Sequence, residues 1–485
     1  MKYMKRKLIL GILMLVFMIG SANAVTPAKI TASVQNGTAW LAAQQNADGS
    51  WSNDVAYTGL AVLKFEEYAK ELGKSPFDAS YQYNANVTNG LNFIFKNIAT
   101  KPISDQTNGN PDSNGNGMGI SVVSAFNGNE DYYNGIVLMA ITASNDSSRV
   151  VNDAASPVNG STYMQIAQDM VDFTAFAQVD SGAGEGGWQY HACNNCSGNG
   201  DNSVGGWITL GLGYANSNFG IATPGFVITE LNKYIDYIQN DVNGDTNDGG
   251  SGYTDPNTWV NTYKTGTLLY QMKMVGDTAA TPRVKNATNY IEMHWNDLNQ
   301  DPGWRDFVGS GTSGYQGTFS LLKGLDVFGI TQINVSGNPT LDLFDDMATE
   351  IVNEQKPDGH WGGCTWGDNQ LCTVWALLTI EKAVTGPQPE CSDGIDNDGD
   401  GLIDMADPGC TAPTDNSEVN VGQPQCSDGI DNDGDGLIDF PADPGCSGTL
   451  DDDETDINGI PEFPTVALPI ISIIGIIFVL LRKKI

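Results

Sequence analysis

Between Ile30 and Val384 the chain alternates apolar runs of helical period with connections rich in Gly, Asn and Asp. In "VTNGLNFIFKNI" and "YMQIAQDMVDFTAFAQ" the apolar residues recur at three- and four-residue steps, which gathers them on one face of a helix. The pattern predicts six helix pairs: 30–45 with 54–73, 87–98 with 132–144, 162–178 with 202–220, 224–241 with 259–277, 283–298 with 314–330, and 342–356 with 369–384. Second helices such as "GGWITLGLGYANSNFG" are apolar around much of their circumference, whereas first helices carry more charge. Helices apolar all round belong inside. A period of roughly 50–70 residues marks a repeat array in which each pair buries its apolar face only against its neighbours. The predicted fold class is therefore all-α: an α6/α6 toroid over residues 25–385, six inner helices ringed by six outer ones.

Most first helices end in a polar, Gly-rich turn that closes on an indole. "WLAAQQNADGSW" places Gln44 or Gln45 before Gly49 and Trp51, the third pair has Gln178, Gly186 and Trp188, and the last has Gln355, Gly359 and Trp361. The fourth and fifth are degenerate, with Tyr253 and Trp304 in the aromatic place, and the second offers only "GNGMGIS". These turns resemble the QW repeats of squalene cyclases and related prenyltransferases. The resemblance implies the same toroid, with each Gln capping a helix end, stacking on the ring and tying adjacent turns together.

That resemblance raises chemistry that the residues only partly support. The acid motif D-x-D-D of the cyclases is missing from the toroid: Asp342, Asp345 and Asp346 have another spacing and lie on an outer helix, and Asp451, Asp452, Asp453 and Glu454 fall outside it. Zinc, which related prenyltransferases hold with Asp, Cys and His, has two candidate sets: His191 with Cys193 and Cys196, and His360 with Cys364 and Cys372. Eight Cys in even groups on an exported chain read rather as disulfides, Cys193–Cys196 and Cys364–Cys372. Cys364 and Gln370 are too far apart for a complement-type thioester. A carbohydrate-active site would need paired carboxylates beside aromatic platforms. Glu185, Asp201, Asp255 and Asp306 are the catalytic candidates, at turns near Trp188, Trp207, Trp259 and Trp304. The bland alternative is that they cap helices, and that Trp207, Tyr214, Tyr263, Tyr270, Phe319 and Trp375 are core.

Residues 386–459 hold 20 acids and no Lys or Arg. They contain a near-duplicate, "CSDGIDNDGDGLIDMADPGC" and "CSDGIDNDGDGLIDFPADPGC", whose simplest pairing is Cys391–Cys410 and Cys426–Cys446. The D-x-D-x-D-G runs resemble calcium loops of EF-hand, dockerin and thrombospondin type 3 repeats. Asp396, Asp398, Asp400, the Leu402 carbonyl, Asp404 and Asp407 supply oxygens in the first copy; Asp431, Asp433, Asp435, Leu437, Asp439 and Asp443 do so in the second, with one residue inserted before Asp443. A calcium-stiffened, disulfide-closed stalk is the expectation.

The ends set the compartment. A basic start, the apolar run Leu8 to Ile19 and "SANA" read as a signal peptide over 1–24. Residues 460–485 carry Pro461-Glu462-Phe463, an apolar run from Val466 to Leu481 near the lower limit for a transmembrane helix, and a basic tip. This tail resembles the PEF-CTERM signal of archaeal surface proteins, which implies processing by an archaeosortase and attachment to the envelope by a lipid. Seven of the 23 basic residues lie in these end segments, so the exterior is still more acidic than the net charge of −35. Such a field repels nucleic acid and attracts cations. Sequons at Asn36, Asn86, Asn145, Asn159, Asn195, Asn286 and Asn334 suit an exported glycoprotein. The expected function is a cell-surface module, membrane-anchored, whose toroid binds a glycan or protein ligand or serves adhesion. The alternatives are a glycoside hydrolase or polysaccharide lyase, a divergent terpenoid cyclase or prenyltransferase-like enzyme, and a structural role in a surface layer.

Overall fold

A computed structural model of the protein describes residues 25–123, 128–242, 244–297, 304, 314–336, 338–365, 367–381, 409–410, 425–427, 437–438 and 440–448. It divides into two compact units, Met1–Val384 and Thr385–Ile485.

The first unit has the expected twelve helices among its described residues. The outer helices are α1 (Pro27–Ala43), α3 (Asn84–Lys96), α5 (Tyr163–Phe176), α7 (Gly225–Ile238), α9 (Pro282–His294) and α11 (Leu343–Glu354). The inner ones are α2 (Val55–Glu71), α4 (Glu130–Ala143), α6 (Asn202–Phe219), α8 (Thr262–Met274), α10 (Tyr315–Asp326) and α12 (Asn369–Ile380). Each inner helix packs on the next, and α12 packs on α2, so the inner ring closes; α11 likewise reaches α1 in the outer ring. Inner helices approach closely where side chains vanish. A Cβ on Gly211 would stand 2.5 Å from the Gly135 carbonyl between α6 and α4, and one on Gly324 would stand 2.4 Å from the Gly266 carbonyl between α10 and α8. Backbone contact at that range admits only glycine.

Two antiparallel hairpins were not anticipated by the all-helical pattern: β1 (Ile98–Pro102) with β2 (Met118–Val122), and β3 (Gln332–Val335) with β4 (Asn338–Asp342). The first follows α3, and its strand β2 packs on α5. It stands where the second pair has no Gln turn.

The recurring turn is a staple between outer helices. Gln45 donates its amide to the Gly49 carbonyl at 2.9 Å and to Asn86 of α3 at 2.9 Å. Gln178 does the same to Gly186 (2.8 Å) and Val227 of α7 (3.1 Å), and Gln239 to Gly249 and Arg283 of α9, both at 2.9 Å. Gln355 bonds Gly359 at 2.8 Å and Ser33 of α1 at 2.9 Å, so the last turn is stapled to the first helix. In all four the turn glycine faces the carbonyl three residues beyond the one bonded: Asn89, Glu230, Asn286 and Asn36. The indole N–H of Trp51, Trp188 and Trp361 returns to the helix just ended, at Leu41, Thr174 and Ile351.

The fourth turn corrects the sequence reading. It is not degenerate in its Gln, and its aromatic place is taken by Ser251, not Tyr253. The Ser251 amide donates to Thr265 as those of Trp51 and Trp361 donate to Thr58 and Thr373, each at 3.0 Å. Trp304 does hold the fifth place, donating to the Trp295 carbonyl at 2.9 Å.

In the second unit Cys426 and Cys446 form a disulfide, Leu437 is exposed, and Asp443 is buried with its Oδ1 accepting the Gly445 amide at 2.6 Å. Cys410 is disulfide-bonded. Cys391 and the loop positions Asp396, Asp398, Asp400, Leu402, Asp404, Asp407, Asp431, Asp433, Asp435 and Asp439 lie outside the described residues, as do the signal peptide and the apolar run of the tail. Among the described residues no helix is long and apolar enough to cross a membrane.

If the closing staple bears load, Gln355→Ala lowers unfolding free energy by about 1–3 kcal/mol, the range for two lost hydrogen bonds and carbonyls left unpaired. Gly359→Ala costs at least about 1–2 kcal/mol more through its left-handed backbone. Denaturant unfolding measures both, and a Gln355→Ala chain as stable as wild type would remove the staple from the account.

Candidate functional site at the mouth of the ring

All six inner helices start at one end of the ring, and their first two turns enclose a cavity of about 430 Å³. The capping side chains place these starts. Asp54 accepts the amides of Ala56 and Tyr57, Asp201 those of Ser203 and Val204, Asp368 those of Gln370 and Leu371, and Asn261 that of Lys264. Aromatic residues two to seven places beyond the caps then form the wall: Tyr57, Tyr132, Tyr133, Trp207, Tyr263 and Trp375. Tyr190 stacks on Tyr132 with ring centres 5.6 Å apart. Burial raises the hydroxyls of Tyr132 and Tyr263 above the usual tyrosine range, so both stay neutral donors. Gln316 donates to the Tyr263 hydroxyl at 3.0 Å.

The loop before α8 completes the rim. Trp259 is 41% exposed and has a left-handed φ of 55°, a conformation uncommon for a bulky residue and found most often where a site demands it. The Lys264 ammonium lies 4.0 Å from its ring centre, and Tyr253 meets the same indole edge-on at 5.4 Å. Further along the axis the ring is filled. Trp207 stacks on Phe319 at 5.9 Å, the Tyr214 hydroxyl donates to Glu67, Lys323 donates to that hydroxyl at 3.5 Å, and Lys64 pairs with Glu381.

The three proposed catalytic acids among the described residues are not brought together. Glu185 pairs with Lys233 at 2.7 Å on the outer surface, and that bond lowers its carboxyl. Asp255 accepts the amides of Asn257 and Thr258, which lowers it too; it folds the loop that carries Trp259. Asp306 lies outside the described residues. Asp201 alone borders the mouth, where burial raises its carboxyl against hydrogen bonds from Ser203 and Tyr253. Asp54, which was not singled out, accepts the Tyr133 hydroxyl at 2.8 Å. Of the six aromatics first read as core, Trp207, Tyr263 and Trp375 reach the cavity. Tyr132, Tyr133 and Lys264 were missed; their signal was position, within the first turn after each inner-helix cap. Cys193–Cys196 and Cys364–Cys372 are both disulfides, so neither set offers thiolates to zinc. His191 lies 3.5 Å from Glu130, and His360 bonds Asp358 at 2.6 Å while stacking on Trp40.

The architecture is that of an α/α toroid, and the chain carries a sorting domain at its end. Residues 460–484 match the PEF-CTERM archaeal protein sorting domain, which points to anchoring at the cell surface. No curated protein matches the chain. Among solved structures it is similar to the α-1,6-mannanase GH76A of Salegentibacter sp. HEL1_6 in complex with α-1,6-mannotriose, at 11% identity over 73% of this chain and 98% of that one, TM-score 0.44. It is similar also to the GH76 α-mannanase of Bacteroides thetaiotaomicron (10% identity, 73% and 96%, TM-score 0.46). A third likeness is to a type II terpene cyclase from Scytonema (12% identity, 73% and 97%, TM-score 0.37).

Asp201→Ala should cost about 1–2 kcal/mol of stability by uncapping α6, with Asp201→Asn recovering most of it. Equal stabilities of the two variants in denaturant unfolding would mean that the carboxylate does not serve as a cap.

Proposed function

We propose that this is an exported surface protein, attached to the archaeal envelope through its sorting tail, whose toroid binds the end of a glycan chain at the mouth of the ring. The observation that carries the reading is the cavity wall: stacked and edge-on aromatic rings with neutral hydroxyls and one lysine. Sugar rings present apolar faces to such platforms and hydroxyls to groups like Gln316 and Tyr132. Lys264 and six converging helix amino ends suit a sugar that also bears a carboxylate. Asp54, Asp201 and Asp368 are occupied as caps, which favours binding over cleavage. The stalk is proposed to hold calcium in its paired loops; the buried Oδ2 of Asp443, which has no hydrogen-bond partner, fits that role.

The second reading, glycan cleavage, draws on the raised carboxyl of Asp201 with Tyr253 beside it. It requires a second carboxylate across the bond to be broken, for which Asp54, bonded to the cavity-lining Tyr133, is the candidate.

Calorimetric titration of the full chain with neutral and uronate-containing oligosaccharides distinguishes these. We expect binding that weakens about tenfold in Trp259→Ala, with greater loss for uronate sugars in Lys264→Met and no new reducing ends. Absence of binding to every sugar sinks the proposal, and reducing ends lost in Asp201→Asn would establish cleavage instead.

A further inference from the structure

The hairpin that replaces the second staple carries chemistry that the mouth does not use. Its tip reads Asp112-Ser113-Asn114-Gly115-Asn116-Gly117. Oxygen-bearing side chains stand at the first, third and fifth places and glycine at the sixth, the arrangement that lets a loop wrap a calcium ion. Asp112 Oδ1 accepts the amides of Gly115 and Asn116 at 2.8 and 3.1 Å, and its Oδ2 that of Gly117 at 2.7 Å. Such bonds also occur in plain turns, so the motif alone assigns nothing.

The independent observation lies on outer helix α5, beneath the loop. Asp169, buried, faces the Nδ2 atoms of Asn114 and Asn116 at 2.7 and 2.9 Å from its Oδ1. One turn further, Asp172 is 0% exposed beside Ser113, and its Oδ2 has no hydrogen-bond partner. Two buried carboxylates one turn apart are costly, and an ion beside them lowers that cost. The loop also lacks its own twelfth-place acid, since that place is Val123; Asp169 reaches in from α5 instead.

We propose that Asp112, Asn114, Asn116 and Asp169, with Asp172 behind them, form a calcium site on the toroid, in which an outer helix supplies the carboxylates that the loop lacks. Asn114 Oδ1 and Asn116 Oδ1 accept the amides of Asn116 and Met118 at 3.0 and 2.7 Å, each keeping a second lone pair to offer an ion, and Met118 falls at the place where such a loop contributes a peptide oxygen. The mixture of neutral and charged oxygens suits calcium rather than magnesium. Bound there, the ion clamps the β1–β2 hairpin to α5, at the pair where no Gln performs that task. None of its residues belongs to the stalk loops, and none lines the mouth.

Equilibrium dialysis with calcium on the full chain in detergent tests it once the stalk loops are silenced by Asp396→Asn, Asp400→Asn, Asp431→Asn and Asp435→Asn. The silenced chain is expected to keep one ion, and adding Asp112→Asn or Asp169→Asn to lose it, with far-ultraviolet circular dichroism in EDTA unchanged. No ion on the silenced chain at millimolar calcium overturns the proposal, as does an ion that survives in both folded variants. Should those variants not fold, hydrogen exchange at residues 112–118 of the silenced chain decides: slower exchange on adding calcium supports the site, and unchanged exchange overturns it.

Discussion

One carboxamide, donating twice, sets the geometry on which the rest depends. At Gln45, Gln178, Gln239 and Gln355 the same side chain bonds its own turn and the start of the next outer helix. The turn glycine lies against that helix at a fixed three-residue offset, where a Cβ would intrude on a backbone carbonyl. Each contact is individually modest, worth about 1 kcal/mol per hydrogen bond. Repeated around the array and closed by Gln355 on α1, they hold the outer helices at one spacing. The inner ring must then close at the radius set outside it, and glycines such as Gly135 and Gly266 let it do so.

Closure has a consequence for chemistry. Six inner helices that run the same way bring six capped amino ends to one mouth, while the remainder of the axis is filled by Trp207, Phe319, Tyr214 and paired charges. Among the described residues the mouth holds an aromatic cup, and Asp54, Asp201 and Asp368 beside it hold helix starts. The half-exposed Trp259 stands at the rim with a left-handed backbone, and the Lys264 ammonium lies against its ring in a strongly acidic chain.

The irregular pair shows how the fold tolerates a missing staple. Where α3 ends, no Gln turn follows; a β-hairpin spans the gap and lays its Asp and Asn tip over Asp169 and Asp172 of α5. A cation there would perform in oxygen coordination what the amide does elsewhere in hydrogen bonds.

The twelve helices, their inner and outer roles and the turns that join them were legible in the sequence, because a 3.6-residue apolar period and a Gln-to-Gly spacing are local. Capping was weighed in the sequence for Asp201 but not for Asp54 or Asp368, and the grouping of the three was not legible there. Glu185, Asp255 and Asp201 look alike along the chain; only the tertiary structure sends the first to a surface ion pair, the second into a loop and the third to the mouth. Tyr253 passed for a staple residue because spacing cannot tell Ser251 in the aromatic place from a tyrosine two residues on. Pairing Asn114 and Asn116 with Asp169 joins residues more than fifty positions apart, across a hairpin that no periodicity announces. Sequence determined the elements and their order; ring closure alone decided which side chains meet, because that depends on the radius at which all the helices can pack at once.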